Sequence, residues 1–179
     1  MTFTSLSFVI FYGVVLVAYH LAHRSLHGQN LLLIAASAFF YGWWDWRFLA
    51  LLALTTGTDF IAAKVMEDLP RWRRAALVCS VSMNLGALFF FKYAEFFVRS
   101  FVNLGTQLGL QLDTQPLGLI LPIGISFYTF QSIAYTVDVF RGTCRAERDP
   151  TAYFAYVTFF PQLVAGPIER AGHMLAQFK

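Results

Sequence analysis

Uncharged apolar runs alternate with short basic loops along the whole chain. Residues 3–22 hold no charged side chain, and 11 of the 20 are Leu, Ile, Phe or Val. Near a bilayer centre each of these contributes about −0.3 to −0.6 kcal/mol, so the run gains roughly −3 to −7 kcal/mol, which outweighs Ser5, Ser7 and Tyr12. A helix over it is about 30 Å long, the thickness of the hydrocarbon core. Nothing before Arg24 is charged. A basic start would mark a cleaved leader, so a retained span with its N-terminus outside is expected.

Five more segments follow, at residues 31–44, 48–63, 75–91, 117–140 and 151–165. The first two flank the hinge Gly42-Trp43-Trp44-Asp45-Trp46-Arg47, whose tryptophans resemble an interfacial belt. Both arms are short, and a tight hairpin or two full spans fit equally. Residues 75–91 are bracketed by Trp72 and Tyr93. Residues 117–140 carry Pro122, Gly124 and Ser126 near their start, and residues 151–165 are interrupted by Pro161.

Between Tyr93 and Pro116 the period changes. Tyr93, Phe97, Phe101, Leu104 and Leu108 recur every three or four residues, opposite Glu95, Arg99, Asn103 and Gln107. Glu95 and Arg99 form a favourable i,i+4 pair. This predicts an amphipathic helix, either in the outer interface or packed on the bundle. The expected fold is therefore all-α: a polytopic transmembrane helical bundle with broken or re-entrant helices and an interfacial amphipathic helix.

Charge supports six crossings. With the N-terminus outside, Arg24, then Lys64, Arg71, Arg73 and Arg74, then Arg141, Arg145 and Arg148 fall on the cytoplasmic side, eight of the 13 basic residues. Arg47, Lys92, Arg99, Arg170 and Lys179 fall outside. Fusing residues 31–63 into one span would weaken this bias. Composition agrees. At 58% hydrophobic and 13% charged, the chain is not disordered, a coiled coil or a disulfide scaffold, and it lacks the polar side chain to coat a soluble globule. A net charge of +3 is too small for a nucleic-acid footprint, so no nucleic-acid partner is expected.

Candidate chemistry is sparse. Cys79 and Cys144 stand alone and read as bystanders. His20, His23 and His27 would share a face on a continuous helix, as metal sites require. No acid or cysteine lies near them in sequence, so no metal is expected and a solvated interfacial loop is the plainer reading. Asp59, in the run Thr55-Thr56-Gly57-Thr58-Asp59, is the acid closest to mid-span. It is either the wall of a polar cavity, an acid paired to another helix, or one drawn outward by Lys64. Asp138 and Arg141 read as a local i,i+3 ion pair.

Two stretches break the helical pattern with polar groups. The first, Leu121-Pro-Ile-Gly-Ile-Ser-Phe-Tyr-Thr-Phe-Gln131, holds Pro122, Gly124, Ser126 and Gln131. The second, Phe159-Phe-Pro-Gln-Leu-Val-Ala-Gly-Pro-Ile-Glu-Arg170, holds Pro161, Gln162, Gly166, Pro167, Glu169 and Arg170. A helix broken at membrane depth needs protein or a wet cavity to satisfy its backbone. These ten residues are the expected lining of a shared passage; two simple kinks are the alternative. No GxGxxG, Walker A or GxSxG pattern occurs.

These two blocks, with Phe40-Tyr-Gly-Trp-Trp-Asp-Trp-Arg47 and Asp138-Val-Phe-Arg-Gly142, resemble the membrane-bound O-acyltransferases, in the branch that acetylates exported polysaccharides such as alginate. The match runs in order from the first span to the last residue. It implies a multi-pass enzyme of the bacterial inner (plasma) membrane, with the N-terminus periplasmic. The implied acyl donor is acetyl-CoA or another acyl carrier, with no cofactor bound, and the implied partners are the lipid bilayer and periplasmic O-acetylation proteins. The family's catalytic histidine belongs to the C-terminal half of a longer chain. His20, His23, His27 and His173 fall outside that motif, so no catalytic residue is carried over. Residues 1–179 are accordingly expected to be the N-terminal part of a single acyltransferase domain, with the missing C-terminal half as its partner. A non-enzymatic membrane export or scaffold component is the alternative.

Overall fold

A computed structural model describes residues 5–108, 120–165 and 171–179. Serine caps open the first two helices. Ser5 Oγ accepts the Phe8 N–H at 3.2 Å, and α1 runs Leu6–Leu21. Ser25 Oγ accepts the Gly28 N–H at 3.1 Å, and α2 runs Leu26–Asp45. Such caps satisfy N–H groups that a helix start leaves without partners. Helix α3, Arg47–Asp68, follows after Trp46 alone, a turn closed by Arg47 Nη2 on the Asp45 carboxylate at 2.7 Å.

A 3₁₀ turn at Pro70–Trp72 leads into α4, Arg73–Leu88. A π turn at Phe89–Tyr93 joins it to α5, Ala94–Gln107, making 38 consecutive helical residues. Beyond the break at residues 120–124 come α6, Ile125–Arg141, and α7, Pro150–Thr158. The chain then forms α8, Phe160–Ala165, α9, Ala171–Met174, and a 3₁₀ turn at Leu175–Phe178. Every regular element among the described residues is helical, as the sequence predicts.

The hinge arms are longer than the apolar runs that mark them. Helices α2 and α3 have 20 and 22 residues, about 30 and 33 Å, because Gln29, Asn30, Glu67 and Asp68 stay helical beyond the hydrophobic stretch. Helix α3 and the 38-residue helix are each long and apolar enough to cross a membrane. In the other two runs the breaks fall where the backbone can bear them. Residues 120–124 are non-helical, while 117–119 lie outside the described residues. The second break sits at Phe159, not at Pro161, which occupies the first turn of α8. Proline is tolerated there because the N–H it lacks has no helical partner anyway.

One local expectation is corrected. Asp138 and Arg141 form no ion pair. Gly142, at φ +77°, caps α6, and the Asp138 carbonyl takes the N–H groups of Thr143 and Cys144 at 3.0 and 3.3 Å. The histidines follow the plainer reading: all three are exposed, and they share no helix face because α1 ends at Leu21 and α2 starts at Leu26. His27 Nδ1 instead meets Thr151 Oγ1 at 3.1 Å.

The core is apolar, but large apolar side chains also cover the outside and polar ones are buried beside the core. Leu6, Trp46, Phe101 and Leu108 are each more than 70% exposed, whereas Asp59, Ser80, Asn84, Gln131 and Thr136 are buried beside Tyr128, Tyr135, Tyr153 and Tyr156. In water such exposure would be unfavourable, but hydrocarbon reverses the preference. The core lies where α2, α3, α4, α6 and α7 meet. Helix α1 has no buried residue and holds on through Phe8 and Phe11, packed against Phe40 and Phe160. In α5 the predicted Glu95–Arg99 pair forms at 2.5 Å. Its Phe96, Phe97, Phe101 and Leu104 are exposed, so this helix is not packed on the described bundle.

Candidate functional site

One face of α2 stitches three irregular segments together. Asn30, Ser37 and Tyr41 are buried and spaced i, i+7, i+11, which puts them on one side of a helix. Asn30 Nδ2 donates to the Phe178 carbonyl at 2.8 Å. Ser37 Oγ accepts the Phe160 N–H at 3.2 Å, at the break between α7 and α8. Tyr41 Oη donates to the Ile123 carbonyl at 2.9 Å, at the break before α6. Both broken elements therefore draw on side chains one turn apart. Without water nearby, a freed backbone group must find such a partner.

The two breaks also touch. Gly124 has φ +72°, a left-handed conformation that favours glycine, and its Cα faces the Leu163 carbonyl oxygen so closely that a methyl group would collide with it. The Gly124 carbonyl accepts the Tyr128 N–H at 3.0 Å and starts α6. Gln131, buried one turn later, donates through Nε2 to the Tyr156 carbonyl at 3.3 Å and ties α6 to α7. Ser126 is half-buried and accepts from Lys92 Nζ, in the π turn, at 3.2 Å. Pro122 and Gln162 are buried, and Pro161 is half-buried in the wall of a cavity of about 510 Å³ with Tyr12, Leu16, Leu33, Phe160 and Phe178. Gly166, Pro167, Glu169 and Arg170 lie outside the described residues.

A second polar cluster surrounds Asp59, which is fully buried. Ser80 Oγ donates to Asp59 Oδ1 at 2.6 Å, and Asn84 Nδ2 donates to Oδ1 and Oδ2 at 2.8 and 3.0 Å. Ser80 also meets Thr136 Oγ1 of α6 at 3.3 Å. Of the three readings of Asp59, hydrogen bonding to another helix is the one observed, and Lys64 does not pair with it. Among the described residues, no group of histidine, cysteine and acidic side chains could hold a metal ion. Asn30, Ser37, Tyr41, Ser80 and Asn84 carry this architecture and were not singled out from the sequence. Their signal was available, since each pairs with another polar residue at helical spacing inside an apolar run.

Fold and polar interior together define an all-α membrane protein with two broken helices joined face to face. Along 99% of its length the chain is 39% identical to a Pseudomonas putida protein named Probable alginate O-acetylase AlgI, covering 37% of that relative. It is 40% identical to the Pseudomonas aeruginosa protein of the same name, again over 99% of the chain and 34% of the relative. Over 84% of the chain it is 33% identical to a Helicobacter pylori peptidoglycan O-acetyltransferase, covering 32% of it. The chain belongs to the membrane-bound O-acyltransferases, in the branch of the alginate O-acetylases. It spans about a third of the length of the curated relatives it matches. No family model matches the chain. No solved structure matches it either.

Proposed function

We propose that this chain is the N-terminal part of a multi-pass O-acyltransferase of the bacterial inner membrane, with a periplasmic N-terminus. The enzyme transfers an acetyl group to hydroxyls of an exported polysaccharide such as alginate. The observation that carries the reading is identity of 39 and 40% along 99% of the chain to two alginate O-acetylases. The donor is acetyl-CoA or another acyl carrier, and periplasmic O-acetylation proteins complete delivery to the polymer. The remaining part of the enzyme supplies the general base that takes the hydroxyl proton, a role suited to imidazole. This part contributes the breaks at residues 120–124 and Phe159, held by Tyr41 and Ser37 as one wall of the passage.

The test is complementation. A strain lacking its own polysaccharide O-acetylase receives the full-length gene, and the acetyl content of the secreted polymer is read by NMR. Restored acetylation is expected. Arg170→Ala and Gln162→Ala are expected to lower it while membrane levels of the protein hold. Polymer that stays unacetylated despite normal membrane levels overturns the enzyme reading. Polymer that is no longer exported when the gene is removed would point to an export component instead.

A further inference from the structure

We propose that the cavity at the α3–α4 turn binds the phosphate group of an anionic membrane lipid. The proposal rests on the topology given above, which puts this end of the bundle at the inner leaflet. The cavity measures about 290 Å³, and its wall includes Glu67, Pro70, Arg73, Gly142, Cys144 and Arg145.

Arg73 is fixed in place. Its Nη2 donates to the Phe140 carbonyl, and its Cζ lies 5.2 Å from the centre of the Phe140 ring. Its Nε is nevertheless buried without a hydrogen-bond partner. That nitrogen is closed off from water, so what Arg73 offers the cavity is the positive charge of a guanidinium held rigid in its wall, which suits a phosphate. Arg145, in the same wall, makes no ion pair, nor do the exposed Arg71, Arg74 and Arg141 around it. Arg148 differs, because Glu67 and Asp68 hold it at 3.2 and 2.6 Å. Glu67 is the acid in the wall, and that contact already engages its carboxylate.

The surroundings favour a lipid over a soluble anion. Met66, Pro70 and Val139 make part of the wall apolar. Leu69 and Trp72 stand exposed on the adjoining turn, the placing expected at headgroup level. Basic pockets between membrane helices on the cytoplasmic side recognise anionic headgroups by this combination. The cavity is also small for a folded peptide segment.

The experiment uses the full-length protein in neutral detergent, with bound lipid counted by native mass spectrometry as phosphatidylglycerol or phosphatidylcholine is added. One saturable phosphatidylglycerol is expected, with phosphatidylcholine at least about tenfold weaker. Losing one charge should weaken binding about fivefold, so Arg73→Gln with Arg145→Gln weakens it roughly twenty-fivefold. Arg145→Gln alone, at an exposed residue that leaves the packing intact, should weaken it about fivefold. Arg99→Gln, in α5, should change nothing.

Unchanged phosphatidylglycerol binding in Arg145→Gln overturns the proposal. So does displacement of the lipid by millimolar inorganic phosphate, or by an acidic peptide, since either assigns the site to a soluble ligand. Carbonate washing of the same membranes separates the two failures. A protein that washes off fails the membrane reading, and the lipid site with it. An integral protein without lipid preference fails the lipid site alone.

Discussion

The polar face of α2 and the Asp59 cluster lie in the same apolar bundle, yet they solve different problems. Asn30, Ser37 and Tyr41 each bond to a backbone group of an irregular segment. Ser80 and Asn84 bond to a side-chain carboxylate between regular helices. In the first case the chain is broken and the side chains repair it. In the second the helices are intact and the side chains satisfy an acid that the apolar surroundings would otherwise reject. The breaks can therefore tolerate the loss of one partner better than Asp59 can, because backbone groups can shift while a buried carboxylate has nowhere to go.

The largest expected effect is at Asp59. Asp59→Leu leaves Ser80 and Asn84 without their acceptor and should cost about 2–5 kcal/mol, whereas Asp59→Asn keeps an acceptor oxygen and should cost about 1–2 kcal/mol. Thermal unfolding in detergent reads both, and equal melting of Asp59→Leu and the unaltered protein would deny the cluster its anchoring role.

Gly124→Val comes next. A side chain at φ +72° meets the Leu163 carbonyl, so the breaks must part at a cost of about 2–4 kcal/mol. In the full-length enzyme acetylation should fall sharply, and unchanged acetylation would show that the contact is incidental.

On α2, Tyr41→Phe combined with Ser37→Ala should cost only about 1–2 kcal/mol, since single side-chain hydrogen bonds inside membranes average about 0.6 kcal/mol. A loss larger than that at Asp59 would reverse the contrast between the two clusters.

The smallest effect lies outside both clusters. Asp149 caps α7 through the Thr151 N–H and hydroxyl, both at 2.8 Å. Partial burial pushes its carboxyl up, but these hydrogen bonds outweigh it and hold the group below the usual range. The cap's contribution is thus present above the unfolded carboxylate value of about 3.9 and fades as pH falls through the lower folded value. Asp149→Ala should cost about 1 kcal/mol at pH 7 and less near pH 2. A variant whose deficit grows with acid would contradict the cap.

Much of this protein follows from its linear pattern. Uncharged runs of the right length dictate helices that crave hydrocarbon, and Ser5, Ser25 and Asp149 mark starts that hydrogen bonding alone requires. The Glu95–Arg99 pair follows from helical spacing, which is local. Pro122 and Pro161 flag the neighbourhood of the broken helices, because proline fits only where its missing donor has no helical partner, as in the first turn of α8 just after the break at Phe159. The two blocks were legible as unusual, but their contact at Gly124 was not, since it joins residues about forty positions apart.

Tertiary structure decided what each polar group meets. Periodicity puts Asn30, Ser37 and Tyr41 on one face but cannot say that Phe178, Phe160 and Ile123 wait opposite. Nor can it choose a partner for Asp59 among the hydroxyls and amides nearby, because each choice depends on how helices α2, α3, α4, α6 and α7 pack. Asp138 and Arg141 show the reverse error: spacing allowed a pair, yet the two side chains form none in the folded chain. Local chemistry thus fixed which segments are helical and which are broken, through propensity and solvent preference acting over a few residues. Only packing over long separations could pair the broken segments with the side chains that satisfy them.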